Sequence, residues 1–156
     1  MELRMDGRVA LVTGGSKGLG YAMAHKFSSC GAIVCILART KDDVLHAADK
    51  IRSETGSETL GLACDVSQAD QILTAFNSCF ESFGKVDILI NNAGYAQAGA
   101  FEQITDVEWQ HDFDLKLMAA VRMSRLVFPG MKKRRWGRII NMLNTLAKTA
   151  GTYTDF

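Results

Sequence analysis

The residues most able to do chemistry in this chain are Thr13-Gly14-Gly15-Ser16-Lys17-Gly18-Leu19-Gly20, directly after the apolar run Val9-Ala10-Leu11-Val12. The helical spacing of Leu19, Met23 and Phe27 follows at once. A tight turn at such a junction brings bare backbone close to a pyrophosphate. The unpaired N–H groups and positive dipole end of the helix then bind the charge. Glycines alone would describe any strand-to-helix turn; the strand before them and the helix after them point to a dinucleotide.

Which dinucleotide is decided about 20 residues further on, where an NAD site carries an acidic side chain for the ribose hydroxyls. Here the chain reads Ala38-Arg39. Lacking a carboxylate and offering a guanidinium both favour the 2′-phosphate of NADP, and Lys17 supplies a second cation from the glycine loop. Solvated surface charge is the alternative role for both, but the two cations flank one expected pocket.

Elements able to position these residues follow from the patterning. Val9–Val12, Ile33–Leu37, Leu60–Cys64, Val86–Ile90 and Ile139–Met142 are short apolar runs suited to buried strands, and amphipathic stretches separate them, as in a parallel sheet built from βαβ units. Val44, Ala47, Ala48 and Ile51 share one helix face, as do Ala69, Ile72, Leu73, Phe76, Cys79, Phe80 and Phe83. A longer helix is expected over about 106–128, burying Trp109, Phe113, Leu117, Ala120, Val121 and Phe128, with extra apolar breadth at Leu115, Met118 and Met123 available for a subunit contact.

Composition narrows the class. At 156 residues, 47% hydrophobic and a formal net charge of +1, with a single proline and no low-complexity run, the chain reads as one soluble domain over 1–156. Cys30, Cys35, Cys64 and Cys79 form no C-x-x-C pair and read as reduced core thiols of a cytoplasmic protein. The charged N-terminus lacks the apolar run of a signal peptide, and no apolar segment approaches the ~20 residues needed to span a bilayer. No metal-ligand spacing is present.

In their order and spacing, these motifs resemble the short-chain dehydrogenase/reductase family, in its NADP-preferring, carbonyl-reductase-like form. Thr13 to Gly20 fits the family's TGxxxGxG, Asn91-Asn92-Ala93-Gly94 its NNAG, and Gly137-Arg138-Ile139-Ile140-Asn141 its lead-in to the fifth strand. The resemblance implies a Rossmann-type doubly wound α/β fold, with five parallel strands in the order 3-2-1-4-5 and flanking helices. It implies hydride transfer between NADP(H) and a small carbonyl or alcohol substrate. The implied cofactor contacts are Gly14, Ser16, Lys17, Gly18, Leu19, Gly20 and Arg39, then Asp65 and Val66 at the adenine, then Asn91, Ala93 and Gly94 at the nicotinamide ribose. Asn-Asn-Ala-Gly also suits a loop stabiliser, and both roles are compatible. A homo-oligomer through the long helix is the family's usual assembly.

The chain departs from the family where the proton chemistry belongs. The family uses a tyrosine as general acid, a lysine four residues later to lower its pKa, a serine to hold the carbonyl and an asparagine to support a proton relay. The serine position falls on Asn144 and the asparagine position on Asp114. Tyr153 lies nine residues past Asn144 with no lysine following, and Lys148 precedes it. The Tyr-x-x-x-Lys pair is therefore missing from this sequence, which reads as the family's cofactor half, inactive by itself. A non-catalytic NADP-binding protein acting with a partner is the alternative. A further reading concerns Lys132-Lys133-Arg134-Arg135-Trp136-Gly137-Arg138, a basic run with an aromatic that nucleic acid could engage. A solvated turn after a helix is preferred, so no nucleic-acid partner is expected.

Overall fold

A computed structural model describes residues 4–95 and 100–143. Five parallel strands form one sheet in the order β3-β2-β1-β4-β5: β1 Val9–Thr13, β2 Ile33–Ala38, β3 Thr59–Ala63, β4 Ile88–Asn91 and β5 Arg138–Asn141. Register places Val12 beside both Ile36 and Ile90, so the ends of β1, β2 and β4 arrive together at one edge. That edge carries the glycine loop.

The strands are apolar on both faces because helices cover both. Val9, Leu11, Cys35, Leu37 and Leu89 face α3 (Ala69–Phe83) and α5 (Ala119–Arg134). Ala10, Val12, Val34, Ile36, Ile88 and Ile90 belong to the opposite core, with Ala24 of α1 (Gly18–Ser29) and Val44, Ala47, Ala48 and Ile51 of α2 (Lys41–Thr55). Period-2 alternation along each strand thus feeds two cores at once. Gly56 and Gly84, both left-handed, stop α2 and α3.

Two helices turn differently from the sequence expectation. On α3 the buried residues are Ile72, Ala75 and Cys79, with Phe76 and Phe83 partly buried, while Leu73 and Phe80 are about half exposed. The correction beyond it is larger. Instead of one helix over 106–128, α4 (Asp106–Phe113) opens on a Thr105/Glu108 capping box, a π-type segment spans Asp114–Met118, and α5 follows to Arg134. Leu115, Ala119, Met123, Val127 and Met131 are buried, and the expected face of Trp109, Phe113, Leu117, Val121 and Phe128 is exposed. Both stripes repeat every four residues on nearly opposite sides of the helix. Periodicity shows that each exists without saying which one meets the sheet.

At the other sheet edge the Asp87 carboxylate, 1% exposed, accepts from the Val9 amide at 3.1 Å. Lys85 Nζ and Arg134 Nε lie 3.2 and 3.4 Å from its oxygens, so two cations compensate one buried charge. Trp136 sits there as well, with the Arg8 guanidinium 3.6 Å from its ring centroid and Arg138 at 5.1 Å. Part of the basic run is thus engaged at this edge: Arg134 also donates to the Val86 carbonyl at 2.7 Å and the indole packs on the core, while Lys132, Lys133 and Arg135 are exposed.

Candidate active-site cleft

Each glycine of the first loop answers a separate steric demand. Gly14 and Gly18 have φ of +66° and +57°, the left-handed region that side chains disfavour. A Cβ on Gly15 would stand 2.7 Å from Ile36 Cβ, and one on Gly20 would collide with the Gly14 carbonyl oxygen. The loop therefore folds back on its own helix start, and the Gly15 amide donates to Leu37 O at 3.0 Å. α1 then begins at Gly18 with no side-chain cap hydrogen bond and no acidic residue in its first turn. Its amide donors and dipole are left to attract an anion.

The loop after β4 is locked to this one. Thr13 Oγ1 accepts from the Asn92 and Ala93 amides at 2.9 and 3.0 Å and donates to Ile90 O at 3.4 Å. Asn92 Nδ2 returns to the Thr13 and Gly14 carbonyls at 3.0 and 3.3 Å. Every one of these groups is satisfied by the other loop, which fixes two walls of a cleft against each other. Asn91 points elsewhere: its Nδ2 donates to Asn141 Oδ1 at 2.8 Å, tying β4 to β5.

The cleft between these loops has a volume of about 440 Å³, within the range of small-ligand sites. Gly14, Ser16, Lys17, Leu19 and Gly20 form its floor, with Ala38, Arg39 and Thr40 beyond β2, Cys64, Asp65 and Val66 beyond β3, and Asn92 to Tyr95 beyond β4. Ten of the cofactor positions expected from sequence thus meet around one space; Gly18 and Asn91 are not in its lining. Leu19 is 59% exposed and faces the cleft instead of anchoring α1 as its spacing suggested. Asn92, Thr40, Asp43, Tyr95 and Leu115 also line it and were not among the expected contacts. Asn92 was signalled by its own motif; Thr40 and Asp43 were signalled only by adjacency to Arg39.

Electrostatically the cleft is mixed. Lys17 and Arg39 bring positive charge, the Arg39 guanidinium lies 5.9 Å from the Tyr95 ring centroid, and Asp43 in the first turn of α2 opposes them. Asp65 Oδ1 is held by the Ser67 amide and hydroxyl at 2.9 and 2.8 Å. Burial, reinforced by Asp65 and Asp70, pushes the Cys64 thiol up to about 12, so it stays neutral. Asp114 does not line the cleft. Its carboxylate accepts from Gln110 at 3.1 Å and from Arg122 at 2.9 Å, contacts that hold it below the usual carboxylate range. Asn144, Lys148 and Tyr153 lie outside the described residues. Among the described residues no cluster of His, Cys, Asp and Glu is placed to hold a metal ion.

Residues 8–153 match the family described as short chain dehydrogenase. The chain belongs to this family. A Gluconobacter frateurii L-sorbose reductase, solved with NADPH and L-sorbose, superposes with a TM-score of 0.93 at 35% identity, over 98% of this chain and 58% of the reductase. A metagenomic short-chain oxidoreductase in complex with NADP gives 0.88 at 32% identity, over 97% of this chain and 67% of the other. The 3-oxoacyl-(acyl-carrier-protein) reductase FabG of Haemophilus influenzae is 33% identical over 93% of this chain and 58% of its own length. This short-chain dehydrogenase sequence therefore spans 58–67% of the length of these relatives.

Proposed function

We propose that this chain is the cofactor-binding part of an NADP(H)-dependent oxidoreductase that transfers hydride between the nicotinamide and a small carbonyl or alcohol substrate. The observation that carries the proposal is the uncapped start of α1 behind a loop where Gly20 has no room for a Cβ, with Lys17 and Arg39 on the same cleft. A dinucleotide fits these residues: the amides of α1 would take the pyrophosphate, Arg39 and Lys17 the 2′-phosphate, and Asp65 the adenine amino group through Oδ2. Ala93 and Gly94 would leave room for the nicotinamide ribose. The cofactor, when bound, supplies the hydride. The chain's own described residues bind, orient and charge-match.

The NADPH and NADP held by the two structural relatives support the choice of cofactor. Asn144, at the family's serine position, would offer the substrate carbonyl an amide donor but exchange no proton as a hydroxyl does. A cytoplasmic setting suits four cysteines that are all free. No helix among the described residues is long and apolar enough to cross a membrane. Assembly through the exposed face of α4 and α5 would cover Trp109, Phe113 and Leu117. Fluorescence titration of the purified protein with NADPH and NADH tests the proposal. Saturable binding with NADPH preferred is expected; binding of neither rejects it.

A further inference from the structure

Ser67 is 6% exposed and lies just before Gln68, the N-cap of α3, so its carbonyl needs a donor from inside the protein. Arg122 NH1 provides one from α5 at 3.2 Å. The other arm of the same guanidinium donates to Asp114 Oδ1 at 2.9 Å, and Gln110 Nε2 holds Oδ2 at 3.1 Å. On the far side, the Ser67 amide and hydroxyl both fix Asp65 Oδ1, and the Gln71 amide oxygen accepts from the Asp65 amide at 2.8 Å. A continuous chain of hydrogen bonds therefore runs from Gln110 through Asp114, Arg122 and Ser67 to Asp65. Asp65 and its neighbour Val66 line the cleft.

We infer that Arg122 is a positioning residue for the adenine end of the cleft, and that Asp114 anchors Arg122 instead of relaying protons. The inference rests on the cofactor reading above. An asparagine at 114 would offer Arg122 only a neutral acceptor, whereas the carboxylate makes a charge-assisted bond that costs the side chain its freedom to act as a base. Both side chains are 25% exposed, so neither charge is deeply desolvated and the pair is sustainable where it sits. The fork of the guanidinium is needed because two acceptors on different elements must be held together; a lysine offers a single point charge.

The test separates the two halves of the cofactor. Binding of 2′,5′-ADP and of reduced nicotinamide mononucleotide is measured by calorimetry on the intact protein carrying Arg122→Met, Asp114→Asn or both. Arg122→Met is expected to weaken 2′,5′-ADP about 5–10-fold, the loss of one to two hydrogen bonds, and to leave the mononucleotide unchanged. Asp114→Asn gives a smaller loss, and the double variant no more than Arg122→Met alone, because both act through one chain. Unchanged 2′,5′-ADP affinity in Arg122→Met, or equal losses for both fragments, overturns the inference. Amide hydrogen exchange on the ligand-free protein keeps its failure distinct from that of the cofactor reading. Faster exchange at Ser67 and Gln68 in Arg122→Met supports the positioning link, and unchanged exchange overturns it. A wild-type protein that binds neither fragment overturns the cofactor reading, and the adenine role with it.

Discussion

Arg39 and Lys17 face the same cleft as Asp43, so charge at this end is a balance that one substitution can tip. Arg39→Asp should weaken NADPH about 10–100-fold by replacing a charge-assisted bond with repulsion, while NADH is held or improved. Parallel titrations with the two cofactors would check this, and equal losses for both would contradict it. Cys64 is the other residue with a legible pH response. Its folded pKa is about 12, so the reactive thiolate is scarce at pH 7–8 and alkylation should be slow there. Cys30, partly exposed on the surface, should be modified first in a time course with iodoacetamide read by mass mapping, and Cys64 should gain rate only as the pH rises far into the alkaline range. For stability the sign is the same: a raised thiol pKa adds nothing that acid removes, and favours the folded state less as pH climbs past the ordinary value of about 8.5.

The first loop and the start of α1 act as an element, and its glycines are not equivalent. Gly20→Ala must push the Gly14 carbonyl or Asn92 Nδ2, which lies 2.5 Å from the new Cβ, and so unlock the loops from each other. A stability loss of about 1–3 kcal/mol is expected, together with weakened cofactor binding. Gly18→Ala meets open space and only the penalty of a positive φ, about 1 kcal/mol. Urea melts of the two variants would rank them, and a Gly18 substitution costlier than that at Gly20 would refute the packing account. The glycine loop, Arg39, Asp65 and the Asn-Asn-Ala-Gly loop were legible in sequence because each follows a strand by a fixed offset, and a parallel register delivers those offsets to one edge. Asn92 was legible as a loop stabiliser, but its partners were not, because its clasp on Thr13 and Gly14 joins residues 79 and 78 apart.

For the whole molecule, the exposed side of α4 and α5 carries an apolar stripe among the described residues, with Phe113 51%, Leu117 54% and Phe128 56% exposed. Burying such a stripe against a second copy would remove apolar area from water at roughly 25 cal/mol per Å². Phe113→Glu with Leu117→Glu should therefore shift the protein to monomer in sedimentation velocity while the sheet and cleft stay intact. A wild-type protein that is monomeric at high concentration would defeat this. The substitutions avoid Leu115, which belongs to the core and the cleft together.

By itself the sequence determined the sheet and its cradle. Apolar runs such as Ile33–Leu37 have one stable use between two helix layers, and glycines at 14, 15, 18 and 20 have one sterically demanding use at a strand end. It did not determine which stripe of the 106–134 region faces inward. Two apolar stripes on one helix are equivalent until a sheet is present to bury one, and here the buried stripe is that of Leu115, Ala119 and Met123. Nor did local pattern disclose the partner of Asp114. Arg122 reaches it across that segment and touches Ser67, 55 residues away, and only the packing of α5 against α3 brings the three together. Local rules set each element, and the contacts between elements decided which surface was core and which charge was paired.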